Sequence, residues 1–205
     1  MFSTTGCNGE ADVVFLIESS NLVSDQDFDN AKDFVRSVVA SLDIALNHTR
    51  VGVAITEVGA YRRLSLNEFS DKGFLMNAID LIERTADVSN SLGSAMAYVR
   101  NSMFSLQSGA RTYIPDIIYI ITPGTISLDD IESEIGETRD QETFVGMVVY
   151  GSDKDILEKA SGLVSPPSTN SLIHATDSGV LSSVVQQTVQ GLCSEIPGEN
   201  RQTLI

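Results

Sequence analysis

Three short polar segments stand at the ends of predicted strands or in loops that can reach the same edge of a sheet. They are Glu18-Ser19-Ser20-Asn21-Leu22, Val88-Ser89-Asn90-Ser91 and Thr122-Pro123-Gly124-Thr125. In open α/β sheets, ligands bind beyond the carboxyl ends of the strands. Hydroxyl and carboxylate oxygens in these segments could ligate a hard cation such as magnesium or contact a polar partner. This edge is therefore the first candidate for a functional site.

The same segments do not favour an enzyme. A nucleotide site needs a glycine-rich turn after the first strand, where the backbone approaches phosphate, and residues 18–23 contain no glycine. No lysine of the chain stands in a Walker-type motif. A nucleophile elbow needs a nearby histidine, and neither His48 nor His174 belongs to such a motif. We expect His174, inside an apolar edge strand, to be structural, and the protein to bind rather than catalyse.

The elements that would position the polar segments alternate between strands and helices. Asp12–Ile17 is a continuous apolar run, typical of a strand covered on both faces, and Asp116–Thr122 is the strongest candidate for a central strand. Apolar residues spaced by three and four after Ser24 predict an amphipathic helix, which Ser24 and Asp27 cap. The alternation predicts a doubly wound α/β fold, with a mostly parallel sheet and helices on both faces. Tyr61–Leu66 follows the predicted strand Arg50–Thr56 after only a short turn, which predicts that it is an antiparallel edge strand.

The remaining segments complete the same pattern. Strands are predicted at Arg50–Thr56, Thr143–Tyr150 and Ser171–Ala175, and helical stripes at 74–82, 92–103, 153–161 and 180–192. A weakly helical stretch runs from Ser127 to about Gln141. Its acidic residues could attract a basic partner, although such a run is more typical of a solvated face: Asp129, Asp130, Glu132, Glu134 and Glu137.

Composition restricts the possible partners. The chain has 205 residues, enough for one domain of this class, and a net charge of −15. This charge argues against binding nucleic acid or an anionic membrane through a basic surface. It is compatible with a soluble or basic partner or a divalent cation, and equally with a role in solubility alone. No run of 18 apolar residues is present, so we expect no membrane span.

The two cysteines and one sequon suggest the compartment. Cys7 precedes the first strand and Cys193 ends the last helical stripe, and the termini of a wound α/β fold can lie close together. We expect a disulfide between them; two unpaired thiols are the alternative. Asn47-His48-Thr49 is a possible N-glycosylation site. Both features favour secretion into an oxidising environment. Met1 to Thr5 lack the layout of a signal peptide, and we expect the domain to be part of a longer chain.

Five segments together resemble a von Willebrand factor A-type (VWA) domain. They are Ala11–Ser20, Arg50–Ala54, Ser89–Val99, Ile114–Ile121 and Val149–Asp153. The resemblance covers about residues 10–193, with 1–9 as an N-terminal segment and 194–205 as a tail. Within the family, the chain is most similar to the A-type modules of collagen VI α chains, on the Ile-Pro-Asp-Ile-Ile-Tyr segment, the acidic helix and Ile-Leu-Glu-Lys-Ala-Ser. Cochlin, matrilin and byssal-matrix domains resemble it nearly as well.

The resemblance implies where a metal-ion-dependent adhesion site (MIDAS) would lie. Family members that have one use Asp-x-Ser-x-Ser after the first strand, a Thr in a middle loop and an Asp after the fourth strand. These positions carry Glu18, Ser20, Leu22, Ser89 and Pro123 in this sequence. Glu18 keeps a carboxylate on a longer stem, whereas Leu22 and Pro123 offer no ligand. We therefore expect a vestigial site without magnesium or another cofactor.

The resemblance implies a secreted extracellular matrix module that assembles with, or binds, matrix proteins or neighbouring domains of the same chain. Contact without a metal bridge is the first hypothesis. The second is a metal-dependent adhesion domain, in which an acidic partner residue completes an altered magnesium site. The third is a structural spacer with no ligand of its own.

Overall fold

The structure, a computed structural model, describes residues 7, 9–56, 62–84 and 91–196. In this part of the chain, six strands form one sheet in the order β3-β2-β1-β4-β5-β6. The strands are β1 (Ala11–Ile17), β2 (Thr49–Ile55), β3 (Arg62–Leu64), β4 (Asp116–Pro123), β5 (Phe144–Tyr150) and β6 (Leu172–Ala175). All neighbours pair in parallel except β2 and β3, which are antiparallel. The predicted doubly wound fold and its antiparallel edge strand are confirmed.

Helices cover both faces of the sheet. They are α1 (Asp25–Ala40), α2 (Lys72–Asp80), α3 (Leu92–Tyr98), α4 (Glu132–Asp140), α5 (Lys154–Leu163), α6 (Ser168–Ser171) and α7 (Val185–Glu195). Alternate residues of β1 supply the two cores. Phe15 packs with α1, α2 and α7 on one face, while Val14 and Leu16 pack with α3, α4 and α5 on the other. Because β1 is buried along its whole length, its apolar run is continuous rather than alternating.

Three predicted helices differ in the structure. The stripe predicted over 92–103 changes from α-helix to a π-helical turn at Val99–Met103. The stripe at 180–192 begins as a 3₁₀ helix, Ser178–Val184, before α7 starts. The acidic helix begins only at Glu132, because Ser127 forms a turn in which its Oγ accepts from the Asp129 amide at 3.2 Å.

The last helix also runs further than we expected. α7 ends at Glu195, and Ile196 is buried in the same core as α1. The helix thus continues three residues past the end of the predicted stripe at residue 192, while the domain boundary at residue 193 stays a prediction.

Candidate functional site

Glu18 lies at the carboxyl end of β1 and is buried, with only 3% of its surface exposed. Its amide continues the sheet ladder by donating to the Ile121 carbonyl at 3.0 Å. Its Oε1 accepts from the Ser20 amide at 2.8 Å and from the Thr56 hydroxyl at 3.0 Å. The carboxylate therefore stabilises its own loop and connects that loop to the end of β2.

Thr56 is the second member of this network, and the sequence motifs do not include it. Its Oγ1 accepts from the Ser19 amide at 2.8 Å, and its carbonyl accepts from the Ser19 hydroxyl. Both residues are fully buried. Ser19 and Thr56 thus hold the carboxyl ends of β1 and β2 together.

Ser20 and Leu22 form the outer turn of the loop. The Ser20 carbonyl accepts from the Val23 amide at 3.0 Å, and its Oγ accepts a long bond from the Leu22 amide at 3.4 Å. These bonds are the ordinary bonds of a serine in a turn. The Leu22 side chain points outward and is 65% exposed. An apolar side chain thus projects into solvent at the position where the resemblance implied a serine ligand.

Ser89 lies outside the described residues, so its predicted place at this edge stays a prediction. Ser91, the next described residue, caps α3 by accepting from the Ser94 amide at 3.0 Å. The Ser91 hydroxyl donates to Asp130 Oδ2 at 2.9 Å, and the Gly93 amide donates to the same oxygen at 3.2 Å. Asp130 is thereby brought to the edge of the site, where no motif had placed a carboxylate.

Pro123 is the last residue of β4 and is buried. It pairs in register with Tyr150, and the Gly124 amide donates to the Tyr150 carbonyl at 2.7 Å. The proline ring supplies neither a carboxylate nor an N–H group. The position therefore serves the junction of β4 with β5.

An open cavity of about 300 Å³ lies over this edge. Its apolar walls come from Leu22, Leu92 and Ile126, and its carboxylates from Glu18, Asp129 and Asp130. A magnesium ion prefers an octahedral shell of oxygen ligands near 2.1 Å. The described residues hold no group of three or more His, Cys, Asp or Glu side chains placed to share an ion. Glu18 Oε1 already accepts two hydrogen bonds from its own loop and from Thr56, and the side chains of Leu22 and Pro123 carry no oxygen that could join an ion.

The acidic stretch beside the cavity is largely paired within the molecule. Arg100 contacts Glu134 at 2.9 Å and Glu137 at 2.8 Å, and Lys159 contacts Asp129 and, at 3.9 Å, Glu132. The Lys159 hydrogen bond lowers the pKa of Asp129. These pairs favour the solvated, structural interpretation over recruitment of a basic partner by the helix.

The two histidines have local partners. His174 lies on the exposed side of edge strand β6, and its ring contacts the Gly151 carbonyl. The His48 ring contacts Asp43 in an exposed turn. Neither contact involves a serine or cysteine nucleophile.

A buried charge cluster lies at the opposite end of the sheet, and sequence reasoning missed it. Asp12 and Asp116 face each other in register on β1 and β4. Arg111 donates to Asp12 through Nε at 3.0 Å and Nη2 at 2.9 Å. Burial raises the pKa of Asp12 more than Arg111 lowers it. Burial and the nearby Asp12 charge raise the pKa of Asp116 to about 7.

The expected disulfide, the N-glycosylation sequon and the question of a membrane span all concern described residues. Cys7 and Cys193 form a disulfide, with their Cα atoms 5.1 Å apart. Asn47 is exposed in the turn before β2, where a glycan would have room. Among the described residues, no helix combines the length and apolar character that crossing a membrane requires.

These features define an open α/β domain in which the loops after β1 and β4 and the start of α3 converge on one sheet edge. The sequence matches the von Willebrand factor type A domain over residues 12–187. The chain therefore belongs to the VWA family, and the predicted resemblance is confirmed.

Its relatives include matrix proteins that are much longer than this chain. The collagen alpha-4(VI) chain of Mus musculus is 25% identical over 195 residues, covering 94% of this chain and 8% of that protein. Matrilin-1 of Gallus gallus is 24% identical over 192 residues, covering 93% of this chain and 38% of that protein. The chain thus spans well under two thirds of each relative.

A solved structure shares the fold. Proximal thread matrix protein 1 from the mussel byssus is 20% identical, with a TM-score of 0.80, and the match covers 92% of this chain and 49% of that one. Another structure of the mussel protein is described with a zinc-occupied MIDAS motif. At this identity the likeness concerns the fold alone.

Proposed function

We propose that this VWA domain is a secreted extracellular matrix module that binds or assembles with other proteins without a metal bridge. The observation that carries the proposal is the use of Glu18, whose Oε1 accepts from the Ser20 amide and the Thr56 hydroxyl at 2.8 and 3.0 Å. One oxygen of the Glu18 carboxylate is therefore used within the protein, which supports a site that acts without a metal. Leu22 and Pro123 supply no replacement ligand.

Contact with the partner takes place at the carboxyl edge of the sheet, over the open cavity. The exposed Leu22 side chain supplies apolar area, and Asn21 beside it supplies an amide that can donate and accept. Burial of this exposed leucine against a partner side chain would remove apolar surface from water, so Leu22 is the expected anchor. The partner is a matrix protein or a neighbouring domain of the same chain, in keeping with the collagen VI and matrilin relatives.

Secretion is supported by two features of this chain. The Cys7–Cys193 disulfide persists in an oxidising environment, and Asn47 stands exposed in an acceptor sequon. We propose binding rather than catalysis because neither histidine is paired with a nucleophile in the described residues.

A binding assay against immobilised matrix proteins tests this function. The domain is expected to retain its partner in chelator, because no ion takes part. Leu22→Asp is expected to weaken binding at least about tenfold by placing a charge at the anchor. Leu106→Asp is the matched control, because Leu106 is also exposed but lies far from the cavity. Its 3₁₀ helix, Leu106–Ser108, is followed by Gly109, whose carbonyl accepts from Arg50 at the opposite end of the sheet.

The other outcomes separate the alternatives. Binding that disappears in chelator and returns with magnesium contradicts the proposal and favours metal-dependent adhesion. An absence of any partner among matrix proteins favours a structural spacer.

A further inference from the structure

Arg84, which follows α2, contacts two segments of the candidate edge at once. Its Nη1 donates to the Ser20 carbonyl at 3.2 Å. Its Nε and Nη2 both approach Asp25 Oδ1, at 2.7 and 2.6 Å. The Arg84 side chain is only 17% exposed. One guanidinium group therefore connects the end of α2 to the loop after β1 and to the first turn of α1.

The Ser20 carbonyl is the central acceptor in this arrangement. It accepts from the Val23 amide, which closes the turn that carries Leu22, as well as from Arg84. On the other side of the same residue, the Ser20 amide donates to Glu18. The N–H group and the C=O group of Ser20 are thus each hydrogen-bonded to the side chain of an ionisable residue, Glu18 and Arg84 respectively. Bonds to charged groups are stronger than bonds between neutral groups.

We propose that Arg84 is a positioning residue that fixes the Glu18–Asp25 loop with a cation of the protein itself. The planar guanidinium suits this role because its donors point in fixed directions to two acceptors. Asn21 and Leu22 are then held in one arrangement before any partner arrives, with no need for a metal ion. This inference rests on the proposed metal-free function and names the residue that makes it structurally possible.

The effect of removing Arg84 is expected to be local. Asp25 is 85% exposed on its side chain and stands in the first turn of α1, where the helix dipole favours a negative charge without a partner. An exposed ion pair of this kind contributes little to global stability. Loss of the Arg84 bond instead loosens the turn, because the Ser20 carbonyl then keeps the Val23 amide as its donor but loses the charged one.

Hydrogen exchange of individual amides in the whole domain tests the inference. In Arg84→Ala, the Ser20 and Val23 amides are expected to exchange about tenfold faster, while amides of β1 and β4 keep their rates. Arg36→Ala is the matched control. It also removes an arginine that is paired with an aspartate, here Asp80 at 2.8 Å, but it leaves the Glu18–Asp25 loop untouched. Added guanidinium ion, below denaturing concentrations, is expected to restore slow exchange in Arg84→Ala only.

Arg84→Lys, which keeps the charge but loses the fork, is expected to give an intermediate rate and provides the same test if Arg84→Ala is destabilised throughout. Unchanged Ser20 and Val23 exchange in these variants contradicts the role of Arg84. So does equal acceleration in Arg36→Ala. Magnesium binding to the unaltered domain is a separate measurement, and it would overturn the proposed function without bearing on the exchange rates.

Discussion

Glu18 has a side chain one methylene longer than the aspartate of the family pattern, and the extra length has a visible use. The carboxylate reaches back to the amide two residues later and across to Thr56, so that a buried charge is held by two hydrogen bonds. A buried carboxylate without such bonds would be costly. At this residue, the same side chain that departs from the metal-binding pattern satisfies the backbone of its own loop.

The location of the site could be predicted from sequence, but its hydrogen-bond network could not. Glu18, Ser20 and Leu22 follow β1, and Pro123 ends β4; the apolar runs of both strands are plain, so the place of these residues at the sheet edge could be inferred. Partners distant in the chain gave no signal: Thr56 is 38 residues from Glu18, Arg84 is 64 from Ser20, and Arg111 is 99 from Asp12. No short motif reports such pairings, because folding alone brings them together.

Asp116 gives a prediction for the pH dependence of stability. Its pKa rises from 3.8 to about 7 on folding, so the folded protein binds more protons than the unfolded chain between these values. Stability is therefore greatest at the acid end of this window, as far as Asp116 is concerned, and falls as the pH rises through it. Asp116→Asn removes the ionisation. We expect this variant to be more stable than the unaltered domain by about 1 kcal/mol at pH about 8, and to differ little at pH about 4.

Urea unfolding at the two pH values checks this prediction. If Asp116→Asn is less stable than the unaltered domain at the higher pH, the prediction is wrong. The charged Asp116 carboxylate then stabilises the fold, most simply through its attraction to Arg111.

At the scale of elements, the strongest predictions were those where burial and secondary structure agree. β1 and β4 are buried on both faces, and their continuous apolar runs located them to within a residue. The stripe at 92–103 located the buried residues correctly but not the change to π-helix at Val99, because apolar spacing reports which side chains are buried rather than which backbone atoms bond. For the same reason the 3₁₀ segment before α7 was not distinguished from α-helix.

The contact between α3 and the loop before α4 depends on Gly93. A Cβ atom there would lie 2.1 Å from the Asp130 carbonyl oxygen, which is backbone and cannot turn away. We expect Gly93→Ala to destabilise the domain by about 1–3 kcal/mol, as overpacking does. Thermal unfolding measures the change.

Gly136→Ala is the matched control for Gly93→Ala. Gly136 lies within α4, and nothing stands within 4 Å of its added Cβ. We expect this variant to be more stable by about 0.5–1 kcal/mol, because alanine favours helix over glycine. If both substitutions change stability alike, the close approach of α3 to Asp130 is not the cause.

At the scale of the whole molecule, the Cys7–Cys193 disulfide closes nearly the entire chain, because its two cysteines are 186 positions apart in the sequence. A bridge across so long a loop restricts the unfolded ensemble strongly. We expect Cys7→Ala with Cys193→Ala to lower the free energy of unfolding by about 2–5 kcal/mol. Urea unfolding with and without a reducing agent measures the difference.

The reducing agent should destabilise the unaltered domain and leave the double variant unchanged. Equal stability of the two proteins under oxidising conditions would contradict a stabilising role for the bridge.

We propose that the carboxyl edge binds its partner without a metal, and isothermal titration of the whole domain with magnesium measures this property. A variant carrying Glu18→Asp, Leu22→Ser and Pro123→Asp restores the ligand types of the family pattern and serves as the positive control. We predict no binding below millimolar magnesium for the unaltered domain and measurable heat for the restored variant. Micromolar magnesium binding to the unaltered domain, lost in Glu18→Ala, would contradict the account.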